Sequence, residues 1–487
     1  MGIPYYFYYL TKKYNNIIVS NLPKIINIYA VDFNGIIHNE ASKEQNEEIL
    51  IRNLWDKINY YNSHYKPDKL IICIDGVAPL AKIIQQRKRR YLTIHKNTID
   101  KIISNWDTNA ISPGTNFMNK LSSYIQTNNK EYIFSDSNEA GEGEHKIFKI
   151  INDMGDNNIV INGLDADLII LSLMSGKNNI YLMRENKHEL TYVNIDNLKR
   201  AIISELRPKW AIENDIDLIE SYCVMCSILG NDFIPHILNL NIKSGGLDTL
   251  ISITEKAIKT HGSLVESNKI NQLTLTDIFN SISENEDNDI IALIAKDVEK
   301  RPRDFTLQSQ EYAIKNKDPV LYEMYNNNKK WRYYYYKRLF DINMNIDSLC
   351  ISLAANNYIK GIYWTYNYYK RLELDYEWYY PYNYPPTAKD INNYLKVNII
   401  EPIVNNGDFL NPKYQLLLIL PIQSMKLMDE SMHKYMTDYS LGFKHLYPTT
   451  YKIQSLFKTH LWECFPILPV INIGKITKIN IQLFNLN

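Results

Sequence analysis

Short apolar runs rich in Ile and Val recur along the first part of the chain: 25-IINIYAVDF-33, 70-LIICID-75, 131-EYIFSD-136, 159-IVING-163 and 179-NIYLMRE-185. Runs of this kind are what strands buried on both faces require, and stretches of helical period lie between several of them. The alternation predicts an α/β region over residues 1–250, with a largely parallel, Rossmann-like sheet flanked by helices. The strand pattern then stops. Residues 251–317 are expected to form a variable helical and loop connection, with SISENEDND at 281–289 as its most exposed, mobile loop. Helical, Tyr- and Trp-rich sequence follows over 318–487 and predicts a second region that completes a pocket against the first.

Carboxylates fall where such a sheet opens. Asp32 and Asp75 each close an apolar run, and Asp165 and Asp167 follow 159-IVIN-162 within a few residues. Ligands of open parallel sheets bind beyond the carboxyl ends of the strands, so three strands deliver acids to one edge. Glu142 and Glu144 in 139-EAGEGEHKI-147 place two like charges at the head of a helix, and Asp232 follows an apolar helix through Gly230-Asn231. Singly, each acid has a plainer explanation as a turn or cap residue. Together, seven carboxylates without a comparable set of His or Cys describe oxygen-only ligation for hard cations, Mg²⁺ or Mn²⁺. Two such ions about 3.5–4 Å apart serve phosphodiester cleavage.

The helical stretch 80-LAKIIQQRKRRYLTIHK-96 adds the opposite charge. At about 100° per residue, Lys82, Gln86, Arg89 and Arg90 share one face, while Leu80, Ile83, Ile84, Tyr91 and Ile94 share another. Guanidinium forks and a lysine beside Asp75 suit a terminal phosphate. A solvated basic face or a localisation patch in 87-RKRR-90 would account for the same residues. His38 in 32-DFNGIIHN-39 and either Trp364 or Trp378 could stack on a base or serve as core and turn residues.

Composition narrows the classes. Lys+Arg and Asp+Glu both number 54, so any grip on nucleic acid is local rather than a property of the whole field. Five scattered cysteines do not make a disulfide framework and favour a reducing, cytoplasmic setting. Cys223 and Cys226 lie in the apolar helical run 219-IESYCVMCSIL-229, where packing explains them better than metal. The longest apolar run, 415-QLLLILPI-422, is far short of a membrane helix, and MGIPYYFYYL fits neither a signal peptide nor a lipid anchor.

The segments MGIPYYFYYLTKKY, AVDFNGIIHN, CIDGVAPLAKIIQQRKRRY, ISPGTNFM, AGEGEHKI, NGLDADLIILSL and LGNDFIPHI, in this order, closely resemble the motifs of the XRN-type 5′→3′ exoribonucleases. The segments 331-WRYYYYKRLF-340, 358-YIKGIYWTYNYY-369, 376-YEWYYPYNYPP-386, 412-PKYQLLLILP-421 and 461-LWECFPILPV-470 are similar to that family's second conserved region. The resemblance implies a PIN/5′-nuclease-type sheet. It implies that Asp32, Asp75, Glu142, Glu144, Asp165, Asp167 and Asp232 are catalytic ligands of two Mg²⁺ ions, which Mn²⁺ can replace. It further implies that Lys82, Gln86, Arg89 and Arg90 hold the 5′-phosphate, with His38 and Trp378, or alternatively Trp364, stacking on the terminal base. The expected substrate is single-stranded RNA with a 5′-monophosphate, cut by a monomer without an obligate protein partner. The family's extra C-terminal domains are not matched, and its Arg-Ala-Lys after DGVAP is Leu80-Ala81-Lys82 here. A structure-specific 5′ DNA nuclease and a non-catalytic RNA-binding protein of the same fold are the alternatives.

Overall fold

The run 28-IYAVD-32 is apolar and β-branched enough to be buried on both faces, and it forms the strand around which the sheet is built. The computed structural model describes residues 2–471, apart from 103–105, 130, 156, 164, 186–189, 208–213, 304–306 and 402. Seven strands make one sheet: β1 (Ile18–Val19), β2 (Ile28–Asp32), β3 (Lys69–Cys73), β4 (Ile133–Ser135), β5 (Ile159–Asn162), β6 (Ile180–Glu185) and β7 (Leu190–Asn194). Their order is β1-β7-β6-β5-β2-β3-β4. The five from β6 to β4 run parallel, and β7 and β1 close the β6 edge antiparallel. All five apolar runs are therefore strands of a largely parallel sheet, as their pattern predicts.

The chain first builds outward from β2 through β3 to β4, then returns to the other side of β2 for β5 and β6. The order reverses between β2 and β5, and a crevice opens at such a switch point beyond the strand ends. Asp32 is the last residue of β2, Asp75 lies two residues past β3, and Asp165 three past β5.

Helices cover both faces of the sheet. One core joins its underside to the helices Asp167–Met174 and Asp215–Ser227, and continues into the long helix Ser348–Lys370 through Tyr358, Ile362 and Trp364. Cys223 and Cys226 are buried in that core, in keeping with packing. The two halves of the chain therefore share one apolar interior.

The loop expected at 281–289 is instead a helical corner. Helix Gln272–Ser283 ends and helix Glu286–Glu299 begins within it. Glu286 is buried because its carboxylate accepts N–H groups of Ala388 (2.6 Å) and Lys389 (3.0 Å) at the start of helix Ala388–Val397. Those open N–H groups attract an acid that composition alone assigns to solvent. Among the described residues, no helix is long and apolar enough to cross a membrane.

Candidate active site

Glycine 143 lets the helix Gly143–Asn152 start close to the strand ends: a Cβ there would lie 2.9 Å from Asp32 Oδ1 and 3.1 Å from the Cys73 carbonyl. Its N–H donates to Asp75 Oδ1 at 2.7 Å. Lys146, one turn on, donates to the carbonyls of Ile74 (2.8 Å) and Asp136 (2.6 Å) and pins the helix to the end of β3. Glu142 precedes the helix without capping it, which leaves its carboxylate free to turn inward. Glu144 is buried one residue into the first turn.

A cavity of about 280 Å³ lies over these ends. It is lined by Asp32, Asp75, Glu142, Glu144, Asp165 and Asp232 on one side and by His38, Lys82, Gln86, Arg89 and Arg90 on the other. Eleven of the thirteen residues singled out in the sequence thus meet in one space. Oxygens of Asp32, Glu144 and Asp165 lie within 4.8 Å of one another. Asp32 Oδ1, Glu142 Oε1 and Glu144 Oε2 are buried oxygens without a hydrogen-bond partner. Burial, followed by the neighbouring Asp75 charge, holds the Asp32 carboxyl well above its usual range. Burial and then Asp167 do the same to Glu144, and burial pushes Glu142 up to about 7 against the pull of Lys82. Orphaned, mutually repelling oxygens of this kind fit a divalent cation, which would supply the missing charge.

The twelfth residue, Asp167, begins its helix just below the cavity. Its Oδ1 accepts the Tyr369 hydroxyl at 2.7 Å, and Gly2 (φ +50°) packs so closely that a Cβ would come within 2.2 Å of that oxygen. Asn34 braces Asp75 twice, donating to Oδ2 (2.7 Å) and accepting its N–H (2.9 Å). Neither Tyr369 nor Asn34 was singled out in the sequence. Asn34 sits in the DFNG motif beside Asp32 and had a local signal, whereas Tyr369 is one tyrosine of 38.

Lys82 does not stand free for a phosphate. Its Nζ lies 3.0 Å from Glu142 Oε2 and 2.9 Å from Asp232 Oδ2, and all three side chains are nearly buried. It carries positive charge into the acids themselves. Arg90 is fixed by Nη1 donating to Asn109 Oδ1 (3.1 Å) and Ser112 Oγ (2.9 Å). His38 is held down to a pKa of about 4 by burial and then by Arg89 and Arg90, so its ring is neutral at pH 7. Arg87, on the packed side of the same helix Leu80–Ile99, donates to the Leu418 carbonyl at 2.8 Å and to that of Leu446, tying the basic helix to the second half of the chain.

The thirteenth residue, Trp378, is not among the residues lining this cavity. It is half-buried and stacks on Trp364, with ring centroids 5.2 Å apart. Trp364 is wholly buried, and its Nε1–H donates to the Asp375 carbonyl at 2.7 Å, which leaves it no face for a base.

Acids at the switch point of a parallel sheet, facing a wall of Lys82, Arg89 and Arg90, are the arrangement of an enzyme that works on phosphate esters, and their partnerless oxygens suit divalent cations. Residues 1–186 match the XRN 5′-3′ exonuclease N-terminus, and residues 209–330 and 296–484 match the Xrn1 helical domain. The chain belongs to this XRN exonuclease family. It is 26% identical to the "5'-3' exoribonuclease 2 homolog" of Drosophila melanogaster over 98% of this chain and 70% of that protein. It is also 26% identical to human "5'-3' exoribonuclease 1" over 97% of this chain, which spans only 33% of that protein's length. Among solved structures, the catalytic core of Rad2 in complex with DNA substrate aligns at a TM-score of 0.33 and 11% identity, covering 86% of this chain and 99% of that one.

Proposed function

We propose that the protein is a 5′→3′ exoribonuclease that removes nucleoside 5′-monophosphates one at a time from single-stranded RNA bearing a 5′-monophosphate. The observation that carries this reading is the meeting, in one cavity, of six acids, Glu142 and Glu144 buried among them, with His38, Gln86, Arg89 and Arg90.

In this reading, Arg89, Arg90 and Gln86 hold the terminal phosphate, and Lys82 joins them when its acid partners are neutralised from elsewhere. Arg90, fixed by Asn109 and Ser112, would close the pocket behind a monophosphate and exclude a cap or triphosphate. Neutral His38 offers an imidazole face to the first base at no cost in charge. Asp32, Glu142, Glu144, Asp165, Asp167 and Asp232 would hold two Mg²⁺ ions, with Mn²⁺ as a substitute. Asp75, whose oxygens each accept one protein N–H group and keep a further lone pair, would complete the ligand set. When bound, the cations supply charge stabilisation for the attacking water and the leaving oxygen. Trp378, stacked on Trp364 with one face and half-exposed, is proposed to stack on the first base opposite His38. In this reading the enzyme works as a monomer.

Purified protein with Mg²⁺ is given RNA ending in 5′-monophosphate, 5′-hydroxyl or a cap, and matched 5′-monophosphorylated DNA. Monophosphorylated RNA should be degraded fastest. Equal degradation of all the RNAs, or preference for DNA, would refute the reading.

A further inference from the structure

Helix Leu80–Ile99 has a second lined face. Gln85, Lys88, Leu92 and Lys96 recur at helical spacing about a quarter turn from the phosphate-facing residues and line another cavity, of about 690 Å³. That volume lies within the roughly 300–1,000 Å³ range typical of small-molecule sites. Arg89, Thr93 and Asp232 line both cavities, so one helical ridge separates them.

The lining is specific in its chemistry. Lys88, Arg89 and Lys96 bring three cations, against Asp232 as the one acid among the described lining residues, and Asp232 is already paired with Lys82. Lys88 donates to Asn383 Oδ1 at 2.7 Å, and burial alone lowers its pKa to about 8, as for an ammonium without a counterion. Gln85 Oε1 is a buried acceptor with no partner. Tyr379, Tyr382 and Phe465 bring rings, and at the mouth His460 and Trp462 lie nearly parallel, 10° apart with centroids 6.2 Å apart. Cations, flat rings and an open acceptor match a phosphate, a base and a hydroxyl or amino group.

We propose that this second cavity binds the nucleoside 5′-monophosphate released by each cut and leads it out past Arg89. The proposal rests on the exoribonuclease reading above. After cleavage the product's phosphate still lies on the Arg89 side, while the shortened RNA must advance from the acid side. A product leaving by the entry route would have to pass the advancing strand, and the second cavity begins where its phosphate already is.

The test measures binding of a nucleoside 5′-monophosphate to the metal-free full chain by calorimetry, and its inhibition of RNA hydrolysis, for wild type, Lys88→Gln and Lys96→Glu. Thermal melting checks that both variants fold. Each substitution should weaken product binding and inhibition about tenfold, as loss of a charge-assisted hydrogen bond implies, while single-turnover cleavage of the first bond changes little. The unphosphorylated nucleoside and inorganic phosphate should each bind more weakly than the monophosphate. Unchanged product affinity in both variants would overturn the proposal. So would parallel loss of product affinity and single-turnover cleavage, which would make the cavity part of the cutting site. The binding arm needs no catalysis, so a protein that cuts no RNA but loses monophosphate binding on Lys88→Gln would fail the exoribonuclease reading and keep this site.

Discussion

Replacing Lys82 by Met separates the charge of the acid cluster from its substrate role. Lys82 Nζ sits 3.0 Å from Glu142 and 2.9 Å from Asp232, with side-chain exposures of 11%, 5% and 6% for the three groups. At an effective dielectric constant of about 20, each contact contributes about 5–6 kcal/mol of Coulomb attraction, most of which desolvation offsets. Breaking one side of such a buried arrangement leaves unpaired charge and costs about 3–5 kcal/mol. For a chain of 487 residues the melting temperature of Lys82→Met in EDTA should fall on the order of 3–5 °C below wild type. Saturating Mg²⁺ should recover more than half of that gap, because cations bound by the same acids neutralise the carboxylates that Lys82 leaves behind. Melting followed by circular dichroism, with EDTA and with Mg²⁺, reads both numbers. An equal deficit in the two conditions would refute the reasoning, since it would make the Lys82 contacts an ordinary structural ion pair away from the cation charge.

Three further outcomes follow from the same geometry. Glu142 and Glu286 are each pushed up to about 7 by burial, so between the ordinary glutamate value and 7 these two groups hold more protons in the folded chain than in the unfolded one. Their contribution to the stability of the metal-free protein should therefore fall as pH rises through that window, by about 3 kcal/mol for Glu142, and Mg²⁺ should relieve the Glu142 part only; a melting-temperature gap between Glu142→Gln and wild type that does not widen from pH 5 to 7 in EDTA would contradict this, since the comparison cancels buried histidines such as His38 that act in the opposite sense. Tyr369→Phe removes the hydroxyl on Asp167 and should raise the Mg²⁺ concentration for half-maximal RNA hydrolysis about tenfold, measured by metal titration at fixed substrate. Trp378→Ala should slow RNA hydrolysis through lost stacking on the first base while leaving preference for a 5′-monophosphate intact; unchanged hydrolysis in a stably folded variant would remove Trp378 from the substrate.

The centre of the sheet was legible because β2, β3 and β5 are buried along nearly their whole length and read as continuous apolar runs, whereas the edge strands β1 and β7, half-exposed, carried no such signal. The acids were legible because the ends of those strands are where a parallel sheet opens. Glu142 and Glu144 make the same point from a local anomaly: like charges two residues apart have no use as caps, and the structure turns both inward with Gly143 set against Asp32 and Cys73. The supports were harder to read. Lys82 and Arg87 lie five residues apart on one basic helix, yet one enters the acid cluster and the other is buried against carbonyls of Leu418 and Leu446. Helical period assigns faces, but it does not say which face meets acids and which meets open carbonyls. SISENEDND misleads for the same reason, because Glu286 finds its partners at Ala388 and Lys389, about a hundred positions away.

Tyrosine is where composition concealed most. A buried tyrosine brings a large apolar ring and a hydroxyl that must find a partner, and here several partners are acids of the first half of the chain. Tyr369 donates to Asp167 and Tyr366 to Glu220, each at 2.7 Å, and both come from the helix Ser348–Lys370. Lys370 adds an ion pair to the same Glu220 at 2.5 Å. Leu80 N–H, at the start of the basic helix, donates to the Tyr376 carbonyl at 3.0 Å, and Arg87 reaches further still. An isolated fragment of residues 1–250 would thus keep every acid and every cation of the cavity while losing the groups that orient Asp167, neutralise Glu220 and seat the basic helix. Such a fragment is expected to unfold at low temperature and to cut RNA negligibly, with partial rescue when residues 251–487 are supplied in trans. A stable fragment with full activity would show that the acids and the basic helix hold their geometry without the second half of the chain.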